Sequence, residues 1–296
     1  MLRSIIAFAL SNVLLLFMFS AGLARRPGEM RDVLQRPALY TRALLVVLVA
    51  VPLLALGAVY LFSLPPLAAG AVLLTGVCPG APLQVRQAKG LGASVTTSLN
   101  LLLILALVAI LAVPAWVVGI DRIVGLELRA PPSLVFNLVI VKILPPLVVG
   151  MAIRHLFPRA ADVLAVWSGR IFNVLLVIVA VAVIYLAGPR LLGFGLKPLL
   201  AMAVLVSAAA FLGHWAGGPR TADRRAVALA AALANPALTM TIISQSYPRF
   251  QALEVTAVVG ALILVRLLAL VPYKLWVKRH DAHERSRHLP PGSVPT

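Results

Sequence analysis

The chain has 296 residues, of which 61% are hydrophobic and only 12% are charged, about half the charged share of a typical soluble domain. This composition and a mean hydropathy of +1.02 exclude an ordinary water-soluble enzyme. The formal net charge of +17 would suggest a nucleic-acid binder in a polar chain. Here the basic residues separate long charge-free runs, which favours the lipid bilayer as their partner and no nucleic acid. The single cysteine, Cys78, excludes a disulfide framework and a cysteine-rich zinc site.

Long charge-free runs predict nine membrane-spanning helices, because a helix needs roughly 20 predominantly apolar residues to cross a bilayer. The first run is longer than the apolar region of a usual signal peptide, so we expect it to be retained as a helix. The run 43–85 holds two helices with a turn at Leu64-Pro65-Pro66, since proline lacks the helical N–H donor. Two runs tolerate one charge each, Lys142 and Arg266. The predicted spans lie in the runs 4–24, 43–85 (two helices), 90–120, 130–153, 171–189, 198–219, 226–248 and 255–273.

The Lys and Arg residues of the loops predict the orientation, because cytoplasmic loops carry an excess of positive charge. An outside N-terminus and a cytoplasmic C-terminus place sixteen of these residues inside and six outside, in a multi-pass protein of the inner (plasma) membrane. The inside set is Arg25, Arg26, Arg31, Arg36, Arg86, Lys89, Arg154, Arg159, Arg170, Arg220, Arg224, Arg225, Lys278, Arg279, Arg285 and Arg287, and the outside set is Arg3, Arg122, Arg129, Arg190, Lys197 and Arg249. The segment 278–296 is charged and then rich in proline and glycine, which predicts a disordered cytoplasmic tail.

Two of the predicted spans contain helix-breaking residues. Helix three carries Cys78-Pro79-Gly80-Ala81-Pro82, and helix eight has Asn235-Pro236 in the middle of its run. Backbone N–H and C=O groups outside a helix are tolerated at membrane depth only where the protein or a water-filled cavity provides their hydrogen-bond partners. We therefore expect helix three to unwind at 78–82; the alternative is a helix that ends at Val77 near the surface. Breaks at corresponding places in two halves indicate the central site of an inverted-repeat transporter.

The two breaks predict an all-α membrane protein built from inverted repeats. The first repeat covers residues 1–129, with four helices and the break at 78–82, and the second covers residues 130–277, with five helices and the break at 235–236. The sequence has no Gly-x-Ser-x-Gly elbow, no Walker glycine loop and no paired His-Glu motif. An enzyme and a primary active transporter therefore lose support.

Several short motifs, in their order and spacing, resemble the bile acid/sodium symporter superfamily. They are Met18–Leu23, Val33–Pro37, Val51–Ala55, Leu64–Pro66, Cys78–Gly80, Val141–Pro146 and Ala228–Thr239. The resemblance implies a core domain with two crossing, unwound helices and a panel domain that moves relative to it. The family's extra leading helix is absent here, as in members with nine spans. The Pro-Gly-Ala-Pro break is similar to that of a bacterial branch of the superfamily.

The resemblance also implies sodium ligands that this chain lacks. Aligned on Asn235, the carboxylate and the amide that coupled members carry on the second crossing helix fall on Ala230 and Ala234, and a further amide falls on Val47. Sodium is a hard cation that needs oxygen ligands, so these substitutions disfavour strong sodium coupling. The candidates for a residual ion or polar site are Ser94, Ser98 and Asn100. The sequence predicts no other cofactor and no metal site.

We expect the substrate to bind between the two breaks. The candidate residues are Pro79, Gly80, Pro82, Gln84, Asn235, Pro236, Thr239 and Arg266. Arg266 is a costly charge inside the last span and should face protein or water. Two interpretations remain for it: an anchor for an anionic substrate group through the guanidinium fork, or a structural partner for backbone carbonyls at a helix break. His214 is either a hydrogen-bonded core histidine or a proton carrier, and Lys142 is expected to pack or snorkel.

These observations predict a secondary transporter of a small organic solute, most simply an anion, that works by alternating access. Its partners are the small-molecule substrate and the bilayer, and no obligate protein partner is implied. A non-transporting scaffold or sensor of the same fold is the alternative from another class. An arsenite-exporter-like member is a further alternative, disfavoured because the lone Cys78 thiolate without a basic activator is a poor site for a soft ligand.

Overall fold

The computed structural model describes residues 15–24, 31–81, 83–126, 131–191, 195–246 and 249–288. The regular secondary structure of these residues consists of helices joined by short turns and loops, as the sequence predicts. Five helical segments are long and apolar enough to cross a membrane, namely Pro37–Leu61, Val95–Val124, Pro132–Leu156, Leu196–Ala216 and Val258–Asp281. The last of them covers parts of two consecutive helices, Arg249–Ala269 and Val271–His288. The predicted class, a multi-pass helical membrane protein, is therefore confirmed, while the count of nine spans stays a prediction.

Thirteen helices follow one another in the described residues. They are α1 (Leu15–Ala24), α2 (Arg31–Gln35), α3 (Pro37–Leu61), α4 (Pro66–Val77), α5 (Leu83–Gly90), α6 (Val95–Val124), α7 (Pro132–Leu156), α8 (Pro158–Leu191), α9 (Leu196–Ala216), α10 (Thr221–Ala232), α11 (Pro236–Ser246), α12 (Arg249–Ala269) and α13 (Val271–His288). The turn between α3 and α4 contains the Leu64-Pro65-Pro66 sequence that predicted it, and Pro66 is the first residue of α4. A proline is favourable there because the first helical N–H has no partner in any case.

Two of the long helices contain a π-helical turn just before a proline. The turn in α3 is Val46–Ala50, ahead of Pro52, and the turn in α7 is Leu138–Ile143, ahead of Pro145. A proline inside a helix cannot donate to the carbonyl four residues earlier and its ring crowds that carbonyl, so the helix widens locally. In α3 the indole N–H of Trp116 on α6 donates to the carbonyl of Leu48 at 2.6 Å. This bond provides one carbonyl of the widened turn with a partner.

Both predicted breaks are interruptions between separate helices. Helix α4 ends at Val77, residues 78–81 are non-helical, and α5 begins at Leu83. Pro82 lies outside the described residues. Gly80 has a φ of +78°, a backbone conformation that glycine adopts without steric cost. The second interruption covers residues 233–235, so Pro236 opens α11 instead of kinking a continuous helix.

The C-terminal segment corrects one prediction. Residues 278–288 belong to α13 and are helical, whereas the sequence predicted a disordered tail from residue 278 onward. The guanidinium of Arg225 pairs with the carboxylate of Asp281 and holds α13 against α10. Lysine and arginine are also good helix formers, so charge alone does not disorder this segment. Residues 289–296 lie outside the described residues.

Glycines allow two pairs of helices to pack closely. A Cβ on Gly150 of α7 would overlap the carbonyl oxygen of Phe19 on α1, and a Cβ on Gly22 would overlap the carbonyl oxygen of Leu147. A Cβ on Gly213 of α9 would lie 2.7 Å from the Cα atom of Ala228 on α10. Small residues permit such close backbone approach between helices in a membrane. The pair α1–α7 and the pair α9–α10 are therefore fixed by backbone contact.

Candidate functional site

The two interrupted segments meet directly. The backbone N–H of Asn235, at the end of the second interruption, donates to the carbonyl of Cys78, at the start of the first, at 2.9 Å. The bond joins residues that are more than 150 positions apart in the sequence. Inside a bilayer, backbone groups outside a helix must find partners within the protein. The interruptions therefore partly satisfy one another, and this crossing brings the C-terminal end of α4 to the N-terminal end of α11.

Asn235 also begins α11 through its side chain. Its Oδ1 accepts a hydrogen bond from the backbone N–H of Leu238 at 3.2 Å, which is the usual way for an N-cap asparagine to satisfy a free helical donor. The hydroxyl of Thr239 donates to the backbone carbonyl of Asn235 at 2.9 Å. The predicted site residues Asn235, Pro236 and Thr239 thus form one structural unit at the crossing.

Arg266 of α12 reaches the same place from a third direction. Its side chain is buried, with 2% of the residue exposed, and its Nη1 donates to the carbonyl of Thr75 in the last turn of α4 at 3.0 Å. That carbonyl is among the last four of the helix, which have no helical partner. The Nε and Nη2 atoms of Arg266 have no hydrogen-bond partner among the described residues. The carbonyl contact of one interpretation is therefore present, and the role of Arg266 as a substrate anchor stays a prediction.

Gln84 lies on α5 and is completely buried. Its Nε2 donates to the carbonyl of Ser98 on α6 at 3.0 Å, while its Oε1 has no partner among the described residues. Pro79 and Gly80 lie in the unwound segment, next to Cys78. The structure therefore brings Pro79, Gly80, Asn235 and Arg266 together around the crossing, with Gln84 on the helix that follows it.

The three candidates for a residual ion site are all engaged by protein groups. The Oγ of Ser94 accepts from the N–H of Thr97 at 3.1 Å and caps α6, and the Oγ of Ser98 donates to the carbonyl of Ser94 at 2.9 Å. The Nδ2 of Asn100 donates to the hydroxyl of Tyr40 at 3.0 Å. These bonds are ordinary helix capping and helix-to-helix contacts.

The positions at which the resemblance implies sodium ligands are buried among apolar groups. Ala230 is fully buried, Val47 is 3% exposed, and both belong to the main hydrophobic core. Ala234 lies in the second interruption itself. The π-helical turn that carries Val47 packs against α10, which carries Ala230. Among the residues that the structure describes, no three His, Cys, Asp or Glu residues are grouped so that they could hold a metal ion.

His214 lies in the last turn of α9, where its Nδ1 is 2.9 Å from the hydroxyl of Tyr273 on α13. The imidazole also packs edge to face against Trp276, with ring centroids 5.2 Å apart. These partners belong to α13, whereas the crossing is formed by the ends of α4 and α11 and by α12. The geometry is that of a hydrogen-bonded packing histidine, and its role as a proton carrier stays a prediction. Lys142 lies in the π-helical turn of α7 and is half-buried.

A polar cluster that the sequence analysis missed joins the N-terminal ends of four helices. It consists of Asp32, Arg36, Tyr40, Thr97 and Asp223. The Nη1 of Arg36 donates to Asp223 at 2.5 Å, the hydroxyl of Thr97 donates to the other Asp223 oxygen at 2.6 Å, and the Nε of Arg36 donates to Asp32 at 2.8 Å. The Tyr40 hydroxyl donates to Asp32 at 2.6 Å. Arg36 and Asp223 are 187 positions apart, so no spacing motif could have indicated their contact.

The partners of Asp32 decide its protonation. Burial alone would raise the pKa of this carboxyl, but the hydrogen bonds from Arg36 and Tyr40 outweigh it and hold the pKa below its ordinary value of 3.8. Hydrogen bonds and opposite charge favour the ionised form of a carboxyl group. The polar cluster therefore contains an ionised aspartate at neutral pH.

Comparison with known families agrees with this architecture. The sequence model of the sodium bile acid symporter family matches residues 12–192, more than half of the chain. The match includes the first interruption, whereas the second interruption and Arg266 lie beyond its end. A search of the curated proteins finds no match. The chain therefore belongs to the sodium bile acid symporter family, as its motifs predicted, and this membership implies a membrane transporter of the symporter kind.

Proposed function

We propose that the protein is a secondary transporter that carries a small organic anion by alternating access, with the anion bound at the crossing. The single observation that supports this most strongly is the hydrogen bond from Asn235 to Cys78, because it joins two broken helices. Broken helices provide helix ends and free backbone groups for a substrate inside the membrane.

The charge at the crossing supports an anion. Arg266 is buried beside the end of α4, and its Nε and Nη2 lack partners among the described residues. A guanidinium ion stays protonated and presents paired donors that match a carboxylate. The N-terminal end of α11, which Asn235 caps, carries the positive end of a helix dipole and would favour the same charge.

The proposed architecture has nine spans, with α4 and α5 forming one broken span and α10 and α11 the other. The N-terminus lies outside and the C-terminus in the cytoplasm. Contacts between loops assigned to the cytoplasmic side support this arrangement: Arg36 bonds Asp223, the N–H of Ser94 donates to Ala222, and Arg225 pairs with Asp281. Helices α1, α7 and α8 form the panel domain of this proposal, and the glycine contact between α1 and α7 holds part of it together.

Labelling of single cysteines tests the orientation. In a chain that carries Cys78→Ala, cysteines at Gly28 and Gly292 should be shielded from an impermeant thiol reagent in intact cells, whereas a cysteine at Ser63 should react. Ser63 is an exposed residue of the turn between α3 and α4. Reaction at position 28 without reaction at position 63 would invert the topology.

Counterflow of labelled organic anions into proteoliposomes tests the function itself. We expect uptake of at least one carboxylate-bearing solute by the native protein and a loss of at least about tenfold with Arg266→Gln, which corresponds to about 1.4 kcal/mol of binding. Arg122→Gln removes the same charge from an exposed position near the end of α6 and should transport normally. If a broad panel of solutes gives no exchange, the protein is better described as a non-transporting scaffold or sensor.

A further inference from the structure

The C-terminal end of α4 is buried in the middle of the protein. Thr75 is 2% exposed, Val77 is 3% exposed, and the chain leaves the helix at Cys78. The last carbonyls of a helix have no helical partner, and together they carry about half a negative charge. An end of this kind at membrane depth needs hydrogen-bond donors, and a donor that carries a positive charge stabilises it further.

Arg266 is the cation that the structure provides there. Its Nη1 donates to the carbonyl of Thr75 at 3.0 Å. The four ion pairs of the described residues involve Arg36, Arg154 and Arg225 as their cations and do not include Arg266. Within the part of the chain that the structure describes, the charge of Arg266 is therefore balanced by a helix end and not by a carboxylate.

The two donors of Arg266 that lack described partners are neighbours. Nε–H and Nη2–H point side by side from one edge of the guanidinium plane, while Nη1 lies on the opposite side and is bound to Thr75. This edge is one of the two arrangements in which a guanidinium binds both oxygens of a carboxylate. A buried donor pair without a partner costs free energy, so the arrangement favours a site that is completed by a ligand.

We infer that Arg266 is a built-in cation of the transport site. Through Nη1 it neutralises the end of α4 in place of an ion from solution, and through the Nε–Nη2 edge it receives the carboxylate of the substrate. This inference rests on the proposed function for the substrate contact, but the role at the helix end is independent of transport. It makes the positive charge of the site a permanent part of the protein.

Chemical rescue of the purified protein tests the role at the helix end. Arg266→Ala should lower the melting temperature in detergent, and guanidinium ion at about 10 mM should restore part of it, as expected for a ligand with a Kd of about 1 mM. Urea at the same concentration has nearly the same shape without the charge and should restore nothing. Arg122→Ala removes an exposed arginine and should respond to neither compound. Equal rescue by urea and guanidinium, or no effect of Arg266→Ala on melting, would overturn the inference.

A second pair of variants covers the case in which Arg266→Ala does not fold. Arg266→Lys and Arg266→Met have side chains of similar length and differ in charge. If the charge holds the end of α4, the lysine variant should melt above the methionine variant, whereas equal or higher stability of the methionine variant would contradict it.

Transport is measured separately by counterflow of labelled benzoate, with benzamide as the uncharged control. Rescue of melting without exchange of benzoate or of any other solute of the broad panel would leave Arg266 as the cation of the helix end and refute the transport proposal alone.

Discussion

The crossing and the polar cluster solve the same problem with different groups. Both lie where the ends of several helices meet, and both contain polar groups that need hydrogen-bond partners. The polar cluster uses two aspartates, an arginine, a tyrosine and a threonine that bond one another. The crossing uses backbone groups, one asparagine, one threonine and one arginine, and the described residues provide it with no carboxylate.

The two regions differ in whether all of their charged groups have partners within the protein. Every charge of the polar cluster has an opposite charge within hydrogen-bonding distance, so the cluster can hold helix ends together without help. At the crossing, Arg266 has one backbone contact and two donors without described partners. A satisfied network rigidifies a protein, and an incomplete one is where a ligand gains most. The polar cluster is therefore expected to act in stability and the crossing in binding.

The largest expected effect comes from breaking the polar cluster at Asp223. Asp223→Ala should lower the free energy of unfolding by about 2–3 kcal/mol, because Thr97 loses its buried partner and Arg36 keeps only Asp32. The Asp223 side chain is only 6% exposed. Asp162→Ala is the matched control: its carboxylate pairs with Arg154 but is 72% exposed, so it should cost less than about 1 kcal/mol. Unfolding of the purified protein in mixed micelles measures both, and equal effects would remove the distinction between the two regions.

A smaller loss of stability is expected at the crossing. Asn235→Ala removes the oxygen that caps α11 but keeps the backbone N–H that bonds Cys78. Loss of an N-cap costs about 1 kcal/mol, so melting should change modestly while anion exchange falls. Asn235→Ser retains a capping oxygen without adding a charge and should melt closer to the native protein than Asn235→Ala. A loss of several kcal/mol with Asn235→Ala would mean that the crossing is a structural network like the polar cluster.

The sequence predicted those parts of the fold that depend on local chemistry. Apolar runs identified the helices, and prolines identified both interruptions. The exact place of the second interruption could not be read, because Pro236 could either kink a helix or begin one, and the contact with Cys78 decides this. The polar cluster could not be read for a related reason. Arg36 looks like any loop arginine until the fold places Asp223, which is 187 positions away, beside it.

The site was predicted as a set of residues but not as an arrangement. The two breaks and Arg266 were chosen because proline, glycine and a charge are costly inside a membrane, a property visible in one sequence. The bond between Arg266 and Thr75 requires knowing which helix end α12 faces. The helical segment 278–288 was predicted as disordered because its composition is charged, and its partner Arg225 lies on another helix.

Acid should weaken the polar cluster slightly through Asp32. The folded pKa of this carboxyl is below its ordinary value of 3.8, so its ionised form stabilises the fold above that pH. The contribution is lost as the pH falls through the folded pKa. Asp32→Asn should therefore be less stable than the native protein at pH 6, by about 1 kcal/mol or less because the side chain is partly exposed. The difference should shrink below pH 3.8, and a difference that is constant across this range would contradict the assignment.

The smallest expected effect is that of sodium on transport. Ala230 and Val47, where the resemblance to coupled members implies oxygen ligands, are buried apolar residues, and Arg266 places a positive charge at the end of α4. Among the described residues, an ion at the crossing would find only backbone, hydroxyl and amide oxygens to replace its hydration, and the guanidinium would repel it. Replacing sodium with potassium or choline at fixed pH and membrane potential should therefore leave initial rates within about a factor of two, whereas a coupled site loses about tenfold for each 1.4 kcal/mol of binding. A steep, saturable dependence on sodium in the native protein would show that the crossing holds an ion in addition to Arg266. The same dependence in Arg266→Ala alone would show that the arginine occupies the place of that ion.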